Sequence, residues 1–156
     1  MKMRAAAGAA QTIPPEAAAG LVRSGMWLDF GARLCQPDVF DTALAARIQE
    51  LTDVKVRNCL SCRPRASLDA DPAGEHVHLF NLHFSGYDRK KPDAGRCHHV
   101  PVNLGEIPDY YRRFIDPVDM VILKTCPMDA LSRVTTRRLR SCQIRHRLRS
   151  IVPSPS

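Results

Sequence analysis

Residues 118–125, Val-Asp-Met-Val-Ile-Leu-Lys-Thr, make a nearly continuous apolar run of strand length. A strand that is apolar on both sides needs cover on both faces, and a parallel sheet between helices supplies it. Upstream, short apolar runs alternate with segments of helical period. Pro15 and Glu16 suit the first turn of a helix, and Gly25 suits its left-handed stop. Residues 26–30 read as a strand and 31–37 as a loop. Phe40, Leu44, Ile48 and Leu51 then recur at four- and three-residue steps, which predicts a helix over about 38–51. Residues 54–60 and 77–84 predict strands, 63–75 a loop and 100–103 a short strand. Ile107, Tyr110, Tyr111 and Phe114 predict a helix over 106–114. This order gives an α/β fold: a mostly parallel open sheet flanked by helices, with ligands beyond the carboxyl ends of the strands.

The net charge of +7 does not describe this body. Residues 132–156 hold seven Arg and no acidic residue, so the remaining 16 basic residues match all 16 acids. The expected division is a flexible lead-in over 1–11, one α/β domain over 12–131 and an Arg/Ser-rich tail over 132–156, disordered or weakly helical. Met1-Lys2-Met3-Arg4 followed by Ala and Gly imitates a secretory signal but lacks the apolar stretch one needs. A cytoplasmic protein with six reduced cysteines and no membrane partner is expected.

Several motifs compete with plainer readings. Cys59-x-x-Cys62 with Cys97-His98-His99 has zinc-like ligands, but a lone C-x-x-C is weak and the second cluster is not at finger spacing. No metal is therefore assigned. As a redox pair, Cys59 and Cys62 would need a helix N-terminus beside them, and Pro64 and a loop follow instead. His76 and His78 fall on one strand face and His83 on the other, where exposed or hydrogen-bonded histidine is the common case. Tyr110-Tyr111-Arg112-Arg113 fits an amphipathic helix better than a base-stacking surface. Gly31, between a strand and a helix, lets backbone approach a phosphate or thioester.

Six segments together resemble the acetyl-CoA hydrolase/transferase family, the CoA-transferases that include butyryl-CoA:acetate and 4-hydroxybutyrate CoA-transferases. They are Ser24-Gly-Met-Trp-Leu-Asp-Phe-Gly31, Ala43-Leu-Ala-Ala-Arg47 with Leu51-Thr-Asp-Val-Lys-Val56, Asn81-Leu-His-Phe-Ser-Gly-Tyr-Asp-Arg-Lys90, Pro101-Val-Asn-Leu-Gly-Glu-Ile-Pro-Asp-Tyr-Tyr-Arg112, Asp116-Pro-Val-Asp119 and Cys126-Pro-Met-Asp129. The resemblance covers about residues 12–130.

It implies the first of two similar α/β domains in an enzyme that moves CoA between an acyl-CoA and a short-chain carboxylate such as acetate. In the family a Glu carboxylate attacks the acyl-CoA and becomes a glutamyl-CoA thioester, which is covalent catalysis. That Glu lies in the second half of family members, and Glu16, Glu50, Glu75 and Glu106 do not match it. No catalytic residue is assigned, and these residues are expected to be inactive alone. The resemblance carries the ligand-contacting loops onto Gly31, Gln36 and Pro37, onto His83, Ser85 and Gly86, and onto Pro127 and Asp129. CoA enters as substrate, with no permanently bound cofactor. Cys35 stands where the family often has a second Gly, and its Cβ would restrict positive φ.

At Ala130 the resemblance gives way to the Arg/Ser tail in mid-motif. A truncated first domain with a tail read from another frame is the expectation. The alternative is a small α/β binding module whose basic arm contacts nucleic acid through its seven Arg. A sheet ending at 118–125 would also leave apolar surface for self-association.

Overall fold

In the computed structural model, which describes residues 11–90, 97–125 and 151–153, apolar strand positions face a layer of short helices. The chain enters through β1 (Gln11–Ile13) and α1 (Pro15–Ala19). It then forms β2 (Trp27–Phe30), α2 (Asp38–Ala45), β3 (Val54–Asn58), α3 (Ala66–Asp69), β4 (Val77–Asn81), β5 (Cys97–His99), α4 (Ile107–Arg113) and β6 (Met120–Ile122). A last strand, β7 (Ile151–Pro153), pairs parallel with β1.

Five strands form one sheet in the order β5-β4-β3-β2-β6, and every pairing is parallel. One face is the core. Leu28, Phe30, Val54, Val56, Val77, Leu79 and Cys97 are buried there against Ala18, Ala19, Val22, Phe40, Leu44, Ile48 and Leu68 of the helical layer. Burying a side chain such as Leu28 or Leu44 completely stabilises by about 1.5–3 kcal/mol before entropy is counted. Phe30 meets Phe40 edge-on, with ring centroids 5.9 Å apart.

The other face carries the alternate residues, and they are aromatic or charged. Trp27 packs on Phe80 at 4.9 Å and Phe80 stacks on His98 at 4.8 Å. The Arg57 guanidinium lies 4.6 Å over Trp27 and 5.2 Å from the Tyr111 ring of α4. Arg57 Nε donates to Asp29 Oδ1 at 2.9 Å, and Arg57 Nη2 donates to the Asp116 carbonyl at 2.8 Å. So α4 lies over the second face, with its Tyr111 against the guanidinium that Asp29 pairs.

Several elements depart from the sequence expectation. The first helix stops at Ala19, well before Gly25; Gly25 is left-handed (φ 81°) in the turn that follows. The second helix ends at Ala45, and a 3₁₀ turn, Ile48–Glu50, carries Ile48 into the core instead. The expected loop 63–75 contains α3, which is too short for its periodicity to be read. The short strand lies at Cys97–His99, just before residues 100–103, because Leu79 to Asn81 of β4 are free on that side to pair with it. Residues 118–125 yield a three-residue strand at the sheet edge, and Met120, Val121 and Ile122 are only half-buried. β6 has one in-sheet neighbour, β2, and its half-buried residues show that full cover on both faces is not met among the described residues.

Candidate functional site

The strand order puts a switch point at β2. From β2 the chain moves to β3, β4 and β5 on one side, and β6 returns to the other. In open parallel sheets the crevice beyond such a switch is where ligands bind, because neighbouring loops diverge there. The loop after β2 begins at Gly31, whose N–H donates to the Ile122 carbonyl of β6 at 2.9 Å. Three strand-end loops meet around this point, those following β2, β3 and β4.

Hydrogen bonds, more than apolar contact, hold these loops together. The Arg33 N–H donates to the carbonyls of Cys59 and Leu60 at 3.3 and 3.2 Å. The Leu60 N–H donates to the His83 carbonyl at 2.9 Å and to Asn81 Oδ1 at 3.2 Å. Leu60 thus touches the β2 loop through its carbonyl and the β4 loop through its N–H. Both Arg33 (φ 54°) and Leu60 (φ 61°) are left-handed. That conformation costs a non-glycine residue about 1–2 kcal/mol and persists only where the surroundings fix it.

The residues expected to contact ligand have different places here. Gly31 cannot carry a side chain: a Cβ would stand 2.1 Å from the Cys35 carbonyl oxygen. The close approach it permits is therefore to the chain's own backbone. Cys35 is buried and has no positive φ, the left-handed position of this loop being Arg33. Gln36 is 0% exposed, and its Nε2 donates to the carbonyls of Arg63 and Pro64 at 3.1 and 3.2 Å. It ties the β2 loop to the β3 loop. Pro37 is buried at the start of α2, and His83 is exposed. Ser85 Oγ accepts the N–H groups of Tyr87 and Asp88, both at 3.2 Å. Gly86 is exposed with open space around it. Gly31, Gln36, His83 and Ser85 are thus brought into one crown. Pro127 and Asp129 lie outside the described residues, as does the basic segment 132–150.

Charged groups that sequence reasoning missed lie beneath the crown. Asp88 is 0% exposed, and its Oδ2 accepts the N–H groups of Ser61 at 3.1 Å and Ser85 at 2.9 Å. The signal was present as Ser85-Gly-Tyr-Asp88, the Ser-x-x-acid pattern in which serine and acid cap each other's backbone. Arg65 is 1% exposed, its guanidinium 5.2 Å over the Phe30 ring, with no hydrogen bond to any described residue. Burial draws it below the usual arginine range, and Asp41 and Asp88 partly offset that. Asp41 accepts from Ala66 N–H and Ser67 Oγ at 2.7 and 2.6 Å; burial nevertheless leaves its carboxyl raised. Burial, with the Asp88 charge, pushes the Cys97 thiol up to about 12, so it stays protonated at neutral pH.

Two concavities lie elsewhere, along α4. One of about 720 Å³ is lined by Pro101, Val102, Asn103, Glu106, Tyr110 and Phe114. One of about 260 Å³ reaches Trp27, Arg57 and Phe80 on the second face. Neither contains Gly31, Gln36, His83 or Ser85. Among the described residues no three His, Cys, Asp or Glu converge as metal ligands, and no helix is long and apolar enough to cross a membrane.

The chain is similar to known proteins in sequence and in fold. The chain is 33% identical over 109 residues to the butyryl-CoA:acetate CoA-transferase of Anaerostipes caccae, covering 70% of this chain and 24% of that protein. It is 30% identical over 118 residues to the probable butyrate:acetyl-CoA coenzyme A-transferase of Syntrophomonas wolfei, covering 75% of this chain and 26% of the relative. The chain thus spans about a quarter of the length of these curated relatives. The crystal structure of RipA from Yersinia pestis has the same fold, with a TM-score of 0.64 at 20% identity over 77% of this chain and 30% of that one. The family model for the acetyl-CoA hydrolase/transferase N-terminal domain matches residues 9–148, running past Ala130 and through most of the Arg-rich segment. Strand order and sequence match together place the chain in the acetyl-CoA hydrolase/transferase family, as its N-terminal domain.

Proposed function

We propose that these residues form the acyl-CoA-facing part of a cytoplasmic enzyme that transfers CoA between an acyl-CoA and a short-chain carboxylate such as acetate. The observation that carries this is the braced crown at the β2 switch point. It occupies the place where an open parallel sheet receives a ligand, in a chain whose relatives include a butyryl-CoA:acetate CoA-transferase. In this reading Gly31, Gln36 and Pro37 shape one wall, His83, Ser85 and Gly86 shape the second, and Pro127 and Asp129 complete the rim. CoA is substrate, and nothing is held permanently.

The crown contains no glutamate, the residue type that the family resemblance implies as nucleophile. None of Glu16, Glu50, Glu75 and Glu106 belongs to the three loops; all four are exposed elsewhere on the chain. These 156 residues should therefore bind acyl-CoA weakly and not turn it over. The test is an amide-resolved titration of the labelled protein with acetyl-CoA, beside an exchange assay with labelled acetate. Saturable shifts at 31–37 and 83–86 without exchange are expected. No shift in either loop would overturn the ligand reading, and measurable exchange would overturn the absence of a nucleophile.

A further inference from the structure

Asp88 is fully buried beneath the crown, and the proposed function gives its carboxylate no part. Its Oδ2 receives one N–H from the β3 loop, Ser61 at 3.1 Å, and one from the β4 loop, Ser85 at 2.9 Å. Ser85 Oγ in turn accepts the Asp88 N–H at 3.2 Å, which fixes the carboxylate against its own turn. Beside it, Tyr87 Oη accepts the Arg65 N–H at 3.1 Å, a second link between the same two loops. Ser61 is itself anchored to β3, since its Oγ accepts from Asn58 Nδ2 at 2.7 Å. One fully buried carboxylate oxygen therefore joins both loops, beside the Leu60–His83 backbone bond and the Arg65–Tyr87 link. Hydrogen bonds to a charged acceptor are roughly twice as strong as neutral ones, so few other groups could do this in so little space.

We propose that Asp88 is a positioning residue: its carboxylate fixes the β4 loop, with His83, Ser85 and Gly86, against the β3 loop at Ser61, and so shapes the surface that receives acyl-CoA. Asp88 has no role in bond making. The inference rests on the acyl-CoA reading for what the surface receives, while the loop-setting role stands on geometry alone.

The test compares amide hydrogen exchange and acetyl-CoA titration in the full 156-residue chain, Asp88→Ala and Asp88→Asn. In Asp88→Ala, protection at Ser61 and Ser85 should fall by roughly tenfold or more, while Val56 and Leu79 in the sheet keep theirs. Acetyl-CoA shifts at 83–86 should weaken with it. Asp88→Asn retains an acceptor oxygen without the charge and should fall between, a graded rescue that loss of packing would not produce. Should Asp88→Ala lose protection at Val56 and Leu79 as well, the Asn variant decides. Unchanged protection at Ser61 and Ser85 overturns the proposal. Lost protection with an unchanged acetyl-CoA response overturns its link to the ligand. If the unsubstituted chain gives no acetyl-CoA shifts, the acyl-CoA reading fails, and the amides alone decide whether Asp88 sets the loops.

Discussion

The helix-covered face of the sheet and the crown at its carboxyl end use the same strands, but different forces hold them. On the covered face, Leu28, Val54, Val56, Val77 and Leu79 are buried against Leu44, Ile48 and Leu68 without a polar atom to satisfy. At the crown, Gln36, Asn58, Arg65, Asn81 and Asp88 are equally buried, and each keeps at least one polar atom without a hydrogen-bond partner among the described residues. An apolar layer gains free energy from area alone, whereas a buried polar group costs free energy until it is paired. The first arrangement tolerates exchange of one aliphatic side chain for another. The second depends on angles and distances, and it includes two left-handed non-glycine residues in contact, Arg33 and Leu60. Among the described residues, two of the three left-handed non-glycine residues, Arg33 and Leu60, and most of the buried polar atoms without a partner lie at the end where the topology places a ligand; the third left-handed residue, Asp53, precedes β3 at the other end.

The comparison breaks most visibly if the covered face fails to dominate stability. Leu44 is 0% exposed, and Leu44→Ala should cost about 2–5 kcal/mol, depending on how far the helices close the cavity. Urea unfolding gives this directly, as a lower midpoint at constant slope. A loss below about 1 kcal/mol would mean that the helical layer is loosely packed and that the contrast drawn here is wrong.

At the crown the largest single effect should come from one methyl group. Gly31→Ala places a Cβ against the Cys35 carbonyl, a backbone atom that can move only if the whole 31–37 loop moves. Overpacking of this kind costs about 1–3 kcal/mol. Unlike Leu44→Ala, it should also shift the amides of Arg33 and Leu60, because their contact closes the same loop. A substitution that costs stability yet leaves those amides in place would show that Gly31 and the crown are independent.

How far each region was legible in the sequence follows from the same division. Helix and strand periods report burial, so the α/β order and the parallel sheet could be read from Phe40, Leu44 and Ile48 and from the short apolar runs. Boundaries could not: Ile48 keeps the helical period, although the α-helix has ended at Ala45 and a 3₁₀ turn carries it. The run at 118–125 signals apolar character but not how many neighbours the strand has, so its edge position was invisible. At the crown, Gln36 and Ser85 were reached through family resemblance. Arg33 and Leu60 gave no signal, since nothing in an Arg or a Leu announces a left-handed backbone. Asp88 did leave one, the spacing from Ser85, although its second bond to Ser61 crosses 27 residues and has no local trace.

The finest test sets two buried aspartates at opposite ends of the strands against each other. Asp71, before β4, receives the N–H groups of Gly74 and Glu75 on one oxygen, both at 3.1 Å, and of His76 and Val77 on the other, both at 2.8 Å. Burial alone would raise its carboxyl, but the N–H groups of Val77, His76 and Glu75 outweigh it and hold the pKa below the ordinary Asp value. Asp41, under the crown, is shifted the other way, because burial outweighs the bonds from Ser67 and Ala66 and the Arg65 charge. The signs follow from linkage. A lowered folded pKa gives stability that is full above the unfolded value of about 3.9 and is lost as pH falls through the folded one. A raised folded pKa gives stability that is full below that value and is lost as pH rises through the folded one. Asp71→Asn should therefore cost most at neutral pH, about 1–2 kcal/mol, and progressively less on acidification. The penalty of Asp41→Asn should instead be larger at acid pH and shrink as pH rises. Paired urea titrations between pH 3 and pH 7 read both slopes, and parallel slopes would mean that the two ends of the sheet bury charge in the same way.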